Sequence, residues 1–93
     1  MKIINTAIEG VYIIEPQVFE DNRGYFFESY NKQKMDEAGL KYDFIQDNQS
    51  MSKYGTIRGI HFQKGDFAQA KLVRVLEGTV LDVAVDLRKG SKT

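Results

Sequence analysis

Lys71-Leu72-Val73-Arg74-Val75-Leu76-Glu77-Gly78-Thr79-Val80-Leu81-Asp82-Val83-Ala84-Val85-Asp86-Leu87 decides the fold class. Two runs rich in β-branched and aliphatic residues flank Glu77-Gly78, a pair suited to a two-residue hairpin turn. In that register Leu76 faces Thr79 and Val73 faces Asp82. One face carries Lys71, Val73, Val75, Val80, Asp82 and Ala84. The other carries Leu72, Arg74, Leu76, Thr79, Leu81, Val83, Val85 and Leu87. Both faces are mostly apolar and both need cover, which predicts a sandwich or closed barrel. Lys71 and Asp82 lie diagonally across the first face, within reach of each other.

Upstream, Val11 to Ile14 reads as a strand ended by Glu15-Pro16. Glu20-Asp21-Asn22-Arg23-Gly24 is a turn cluster in which Gly24 is free to take positive φ. Tyr25 to Tyr30 is an aromatic-rich strand. Asn31 is an N-cap for a short helix over Lys32 to Ala38, stopped at Gly39. Tyr42 to Ser50 reads as a strand with Phe44, Gln46 and Asn48 on one face. Lys53-Tyr54-Gly55 is a turn, and Thr56 to Gln63 a strand interrupted by Gly59. Lys64-Gly65-Asp66 begins a loop. The sum is an all-β domain with one short helix. Residues 1–93 contain no repeat or linker, and Arg88 to Thr93 reads as a loop entering a further strand, so the domain is expected to be truncated.

Composition excludes several classes. The 93 residues are 42% hydrophobic and 28% charged, in the range of a soluble globular domain rather than a disordered one. Net charge is zero, without the basic excess that a nucleic-acid or membrane-surface partner needs. There is no cysteine, hence no disulfide framework and no thiolate chemistry. The first residues hold too short an apolar run for a signal peptide, and a cytoplasmic location is expected. No Walker or Rossmann glycine loop and no nucleophile elbow is present. One His and no Cys do not build the usual multi-His metal site, so no metal is expected.

Ile57-Arg58-Gly59-Ile60-His61-Phe62-Gln63 holds the single His of the chain beside an Arg. A buried, hydrogen-bonded imidazole and a general base both fit this residue type, because neutral imidazole titrates near working pH. Arg58 offers a planar fork that matches phosphate or carboxylate. Lys71 is either a strand-end residue reaching water or a buried ammonium paired with Asp82; in the second case it suits an enolate oxygen. Arg23, Glu28, Gln46 and Asn48 are, one at a time, ordinary turn or strand residues. Phe26 and Phe27 are expected in the core.

Taken together, the motifs resemble a family. Phe19-x-Asp21-x-Arg23-Gly24-Tyr25-Phe26-Phe27-Glu28 is followed by Gln46-Asp47-Asn48 and by Arg58-Gly59-Ile60-His61-Phe62-Gln63. Gln69-x-Lys71-Leu72-Val73-Arg74 and Gly78-x-Val80-x-Asp82-Val83-Ala84-Val85-Asp86-Leu87-Arg88 come next. This order and spacing closely resembles the dTDP-4-dehydrorhamnose 3,5-epimerases, N-terminal part only. The resemblance implies a cupin-type double-stranded β-helix (jelly roll), here truncated, and a homodimer that exchanges N-terminal strands. It implies a cofactor-free isomerase acting on a dTDP-4-keto-6-deoxy sugar by proton abstraction and return at carbons 3 and 5. By motif, His61 is the proton acceptor, Lys71 the stabiliser of the enolate, and Arg58 and Arg23 the holders of the nucleotide-sugar. Glu28, Gln46, Asp47 and Asn48 line the site, Arg23 and Glu28 serving the neighbouring subunit, and Asp82 partners Lys71.

The family's proton-donor Tyr, the Asp that partners the His, and a further pocket His belong to the second half of its pattern. None of the five Tyr present sits in the donor motif. The chain alone is therefore expected to be inactive. A relative that inverts one centre, a 3,4-ketoisomerase of similar fold, and a non-catalytic nucleotide-sugar-binding module are the alternatives.

Overall fold

The computed structural model describes residues 1–59, 61 and 69–90. Their regular structure is four short strands and one helix: β1 (Lys2–Asn5), β2 (Tyr12–Glu15), β3 (Val18–Asp21), β4 (Gly24–Phe27) and α1 (Lys32–Glu37). The chain divides into two units, Met1–Lys41 with Thr79–Thr93, and Tyr42–Gly78. All five elements lie in the first.

β1 and β2 pair antiparallel, with Ile3 opposite Ile14 and Ile4 opposite Ile13. The four isoleucines place a β-branched cross-strand pair on each side of the ribbon, the contact that stabilises short ladders. Thr6 closes the connection. Its hydroxyl donates to the carbonyls of Ile8 at 3.1 Å and Val11 at 2.8 Å and accepts from the Ile8 N–H at 3.2 Å. The strand expected at Val11 to Ile14 thus appears one residue later, and β1 is an addition to the sequence reading.

β3 and β4 form the second ribbon, with Phe19 opposite Phe26 and Asp21 opposite Gly24. The two-residue turn is Asn22-Arg23, and Gly24 takes φ +139°, as the turn cluster predicts. The aromatic strand is shorter than expected and ends at Phe27. Phe26 is exposed and Phe27 half-buried, which corrects their assignment to a core.

α1 is stopped at both ends by the residues that the sequence offers for it. The Asn31 carboxamide oxygen accepts the Lys34 N–H at 3.0 Å, an N-cap contact. At the other end Gly39 takes φ +86°, the Gly39 N–H reaches the Asp36 carbonyl at 3.0 Å, and the Leu40 N–H reaches the Met35 carbonyl at 2.9 Å. This pair of bonds is a Schellman motif, whose hydrophobic companions are the residues corresponding to Met35 and Leu40. Among the described residues those two are the buried apolar side chains, 4% and 5% exposed.

In the second unit the expected turn at Lys53-Tyr54-Gly55 forms, with Gly55 at φ +82° and the Thr56 N–H on the Lys53 carbonyl at 3.1 Å. The strand expected over Tyr42 to Ser50 is absent, and residues 56–59 and 61 carry none. Ile60, Phe62, Gln63, the loop start Lys64-Gly65-Asp66 and Ser91 to Thr93 lie outside the described residues.

The hairpin expected over Lys71 to Leu87 is also corrected. Gly78 takes the left-handed φ of +87° within a bend at 76–78, but no ladder forms on either side. The physical reason lies in its two apolar faces. A two-stranded ribbon is marginal in water unless something covers it, and here Leu81 is 89% and Val83 72% exposed. Among the described residues no helix is long and apolar enough to cross a membrane.

Candidate functional site

Arg23 occupies the β3–β4 turn because Asp21 holds it there. The Asp21 carboxylate accepts the Arg23 backbone N–H at 2.8 Å through Oδ1. Through Oδ2 it accepts Nε at 3.3 Å and Nη2 at 2.7 Å. The guanidinium side chain remains 90% exposed. The hydrogen bond from that guanidinium, seconded by the backbone N–H of Arg23, holds the Asp21 carboxyl below its ordinary value. Around the turn lies a shallow concavity of about 320 Å³, lined by Phe19, Asp21, Arg23, Tyr25 and Phe26 among others.

Glu28 follows the last residue of β4, so Arg23 and Glu28 flank that strand. Lys34 of α1 donates to the Glu28 carboxylate at 3.1 Å. That contact, with a side-chain hydrogen bond from Asn31, holds the Glu28 carboxyl below its ordinary value. Asn31 thus caps the helix and braces Glu28 together.

In the second unit, the Gln46 amide donates to the Asn48 carboxamide oxygen at 3.5 Å, without the strand on which they were expected to share a face. Asp47 between them is exposed. The Arg58 Nε donates to the Ser52 hydroxyl at 3.0 Å. His61 and Lys71 are exposed members of the same unit, whereas Asp82 is exposed in the first. The structure therefore brings Gln46 and Asn48 together and braces Arg23, Glu28 and Arg58 locally.

The sequence reading did not single out Asp21, Lys34 or Ser52 as partners. Nor did it single out Asp86 and Arg88, which repeat the Asp21–Arg23 arrangement. Arg88 donates its backbone N–H to Asp86 Oδ1 at 2.9 Å, Nε to the same oxygen at 2.9 Å, and Nη2 to Oδ2 at 2.7 Å. Its Nη2 also reaches the Glu9 carbonyl at 2.8 Å. Asp86 raises the Arg88 pKa above its ordinary value. The signal was available as two Asp-x-Arg triplets, Asp21-Asn22-Arg23 and Asp86-Leu87-Arg88.

Comparison with known proteins assigns these residues to a lineage. A family model described as dTDP-4-dehydrorhamnose 3,5-epimerase matches residues 5–93. The chain is 57% identical to the dTDP-4-dehydrorhamnose 3,5-epimerase of Salmonella typhimurium, over 100% of the chain and 51% of that protein. The protein of that name in Methanothermobacter thermautotrophicus is 52% identical, over 99% of the chain and 49% of its own length. The one in Escherichia coli K12 is 50% identical, over 98% and 50%. The chain spans about half the length of these curated relatives. No solved structure gives a significant match. By the family model and these identities, the chain belongs to the dTDP-4-dehydrorhamnose 3,5-epimerase family.

Proposed function

We propose that this chain supplies the base-bearing, nucleotide-binding half of an epimerase that converts dTDP-4-dehydro-6-deoxy-D-glucose to dTDP-4-dehydro-L-rhamnose, on the route to dTDP-L-rhamnose. The observation that carries the reading is the ordered run of motifs from Phe19 to Arg88, inside a family match over residues 5–93.

The chemistry asks for few groups. The 4-keto group acidifies the protons on carbons 3 and 5, so no cofactor enters this reading. His61 accepts each proton, neutral imidazole being a base at working pH. The Lys71 ammonium stabilises the enolate oxygen, and Asp82 orients that ammonium. Arg23 and Arg58 hold the diphosphate, while Glu28, Gln46, Asp47 and Asn48 line the sugar-nucleotide site. The proton-donor Tyr and the Asp partner of His61 belong to the half of the relatives that this chain does not span, which is why the chain alone is expected to be inactive.

The same reading places the chain in a cytoplasmic cupin jelly roll that dimerises with exchanged N-terminal strands. The exposed Phe19 and Phe26 on the β3–β4 ribbon and the uncovered apolar residues of 71–87 support it, since surfaces of this kind call for further strands or a second subunit.

The test joins the chain to the second half of the Salmonella relative, supplies dTDP-4-keto-6-deoxyglucose and reads the product by NMR. Inversion at carbons 3 and 5 is expected. Inversion at one carbon, or migration of the keto group, would move the assignment to a single-centre epimerase or a 3,4-ketoisomerase. Binding of dTDP with no product at all would leave a nucleotide-sugar-binding module.

A further inference from the structure

The two Asp-x-Arg triplets of the chain adopt one geometry in two settings. In each, the Asp Oδ1 accepts the Arg backbone N–H, at 2.8 Å in Asp21–Arg23 and 2.9 Å in Asp86–Arg88. In each, Nη2 lies 2.7 Å from the Asp Oδ2. Nε completes a grip on the side-on edge of the guanidinium, on Oδ2 at 3.3 Å in the first, and on Oδ1 at 2.9 Å and Oδ2 at 3.1 Å in the second. The settings differ in exposure. The Asp86 side chain is covered, 4% exposed, with Arg88 itself 57% exposed, whereas Asp21 and Arg23 are both open to solvent.

The Asp86–Arg88 copy shows what such a guanidinium does with its remaining hydrogens. Nη2 of Arg88, while held by Asp86, donates to a third oxygen, the Glu9 carbonyl, at 2.8 Å. Arg23 has the same grip at an exposed turn beside a concavity. The end-on edge of its guanidinium, Nη1 with the second Nη2 hydrogen, has the geometry that fits a phosphate oxygen.

We propose that Asp21 is a positioning residue for substrate binding: it fixes Arg23 across the β3–β4 turn so that the end-on edge of the guanidinium meets a phosphate of the nucleoside diphosphate. This rests on the reading that Arg23 binds the nucleotide-sugar. Immobilising a long side chain before the ligand arrives removes part of the ordering cost of binding. The carboxylate lowers the local positive charge, and the gain from order outweighs that loss because the phosphate meets the neighbouring edge, on hydrogens of Nη1 and Nη2 that Asp21 does not occupy.

The variant that isolates the effect is Asp21→Asn. An amide oxygen still accepts the Arg23 backbone N–H and keeps the turn, while the charged fork to Nε and Nη2 is lost. In the full chain labelled with nitrogen-15, the Arg23 Nε–H is expected to be ordered and slow to exchange. In D21N it becomes mobile, while the Arg23 backbone amide keeps its position. Titration with dTDP should show D21N binding about three- to tenfold more weakly, and no further loss when D21N is added to Arg23→Ala. A purely structural role for Asp21 would instead weaken binding in the R23A background as well, and would overturn the proposal. An Arg23 Nε–H equally mobile in the parent and in D21N would overturn it too, in a measurement that needs no variant to bind. If R23A binds dTDP as tightly as the parent, or the parent takes none, the reading of Arg23 as a substrate contact fails and the proposal falls with it. That outcome is distinct from an R23A defect that D21N does not share, which sinks the positioning role alone.

Discussion

Arg23 and Arg88 carry the same local contacts, yet their surroundings give them different work. Arg88 ties the chain at Asp86 to the connection between β1 and β2 through the Glu9 carbonyl. Removing it takes away the guanidinium bonds to the Asp86 carboxylate, whose side chain is 4% exposed. Arg88→Ala is therefore expected to lower the urea midpoint of the chain clearly more than Arg23→Ala, whose ion pair is open to water and screened; equal shifts in parallel urea titrations would contradict this. His61 and Lys71 are expected to show their weight only in turnover. In a protein completed with the relatives' second half, His61→Asn should reduce the rate by about 10²- to 10⁴-fold, the usual share of a general base. Lys71→Met should cost about 10²- to 10³-fold, the usual effect of removing one group that stabilises an oxyanion. Steady-state kinetics with unchanged dTDP affinity would separate both from a folding defect.

Among the elements, α1 is the most fully specified, and its stops can be tested one at a time. Asn31→Ala should cost about 1 kcal/mol of helix stability, the usual value of an N-cap, read from amide exchange at Lys34 and Met35. Gly39→Ala should cost a similar amount, about 1 kcal/mol. A Cβ there meets nothing within 4 Å, so the loss would come from the φ of +86° and not from a clash. The contact of Glu28 with Lys34 and Asn31 adds a pH dependence of definite sign. The Glu28 carboxyl is held below its ordinary value of 4.5, so its contribution is present above that value and is lost as pH falls through the lowered one. Protection of the α1 amides, corrected for their intrinsic exchange rates, should therefore fall on acidification below about pH 4.5 in the parent, and less so in Lys34→Met. These stops were legible in the sequence because each is local: Asn31, Gly39, Gly55 and the Asp21–Gly24 turn act through neighbours a few residues away. β1 and β3 were not legible, since Ile3-Ile4 and Val18-Phe19 are too short to announce a strand without the partners that define them. In Tyr42 to Ser50 and Lys71 to Leu87, β-propensity and alternation point to strands. Propensity becomes a ladder only when another strand and a covering layer are present. Among the candidate site residues, the sequence points to Arg23, Arg58, His61 and Lys71 through a pattern, but not to the Asp21 and Ser52 contacts that brace the arginines.

At the scale of the whole molecule, the uncovered apolar residues of 71–87 and a chain half as long as its relatives have one physical reading in common. Residues such as Leu81, Val83, Val85 and Leu87 stand exposed, and under the proposed function the half of the relatives that this chain does not span would cover them. The chain alone is expected to bind a hydrophobic dye such as ANS and to associate with rising concentration. The joined protein is expected to bind far less dye; equal dye binding by the two would argue that the second half covers something else. In the proposed function this chain carries the base of an epimerase whose site is finished by the half of the relatives that it does not span. Solvent deuterium incorporation into dTDP-4-keto-6-deoxyglucose tests it most directly, measured on the chain alone, on the joined protein and on the joined protein with His61→Asn. Exchange at carbons 3 and 5 is expected in the joined protein only. Exchange that survives His61→Asn, or its absence from a folded and dTDP-binding joined protein, would contradict it.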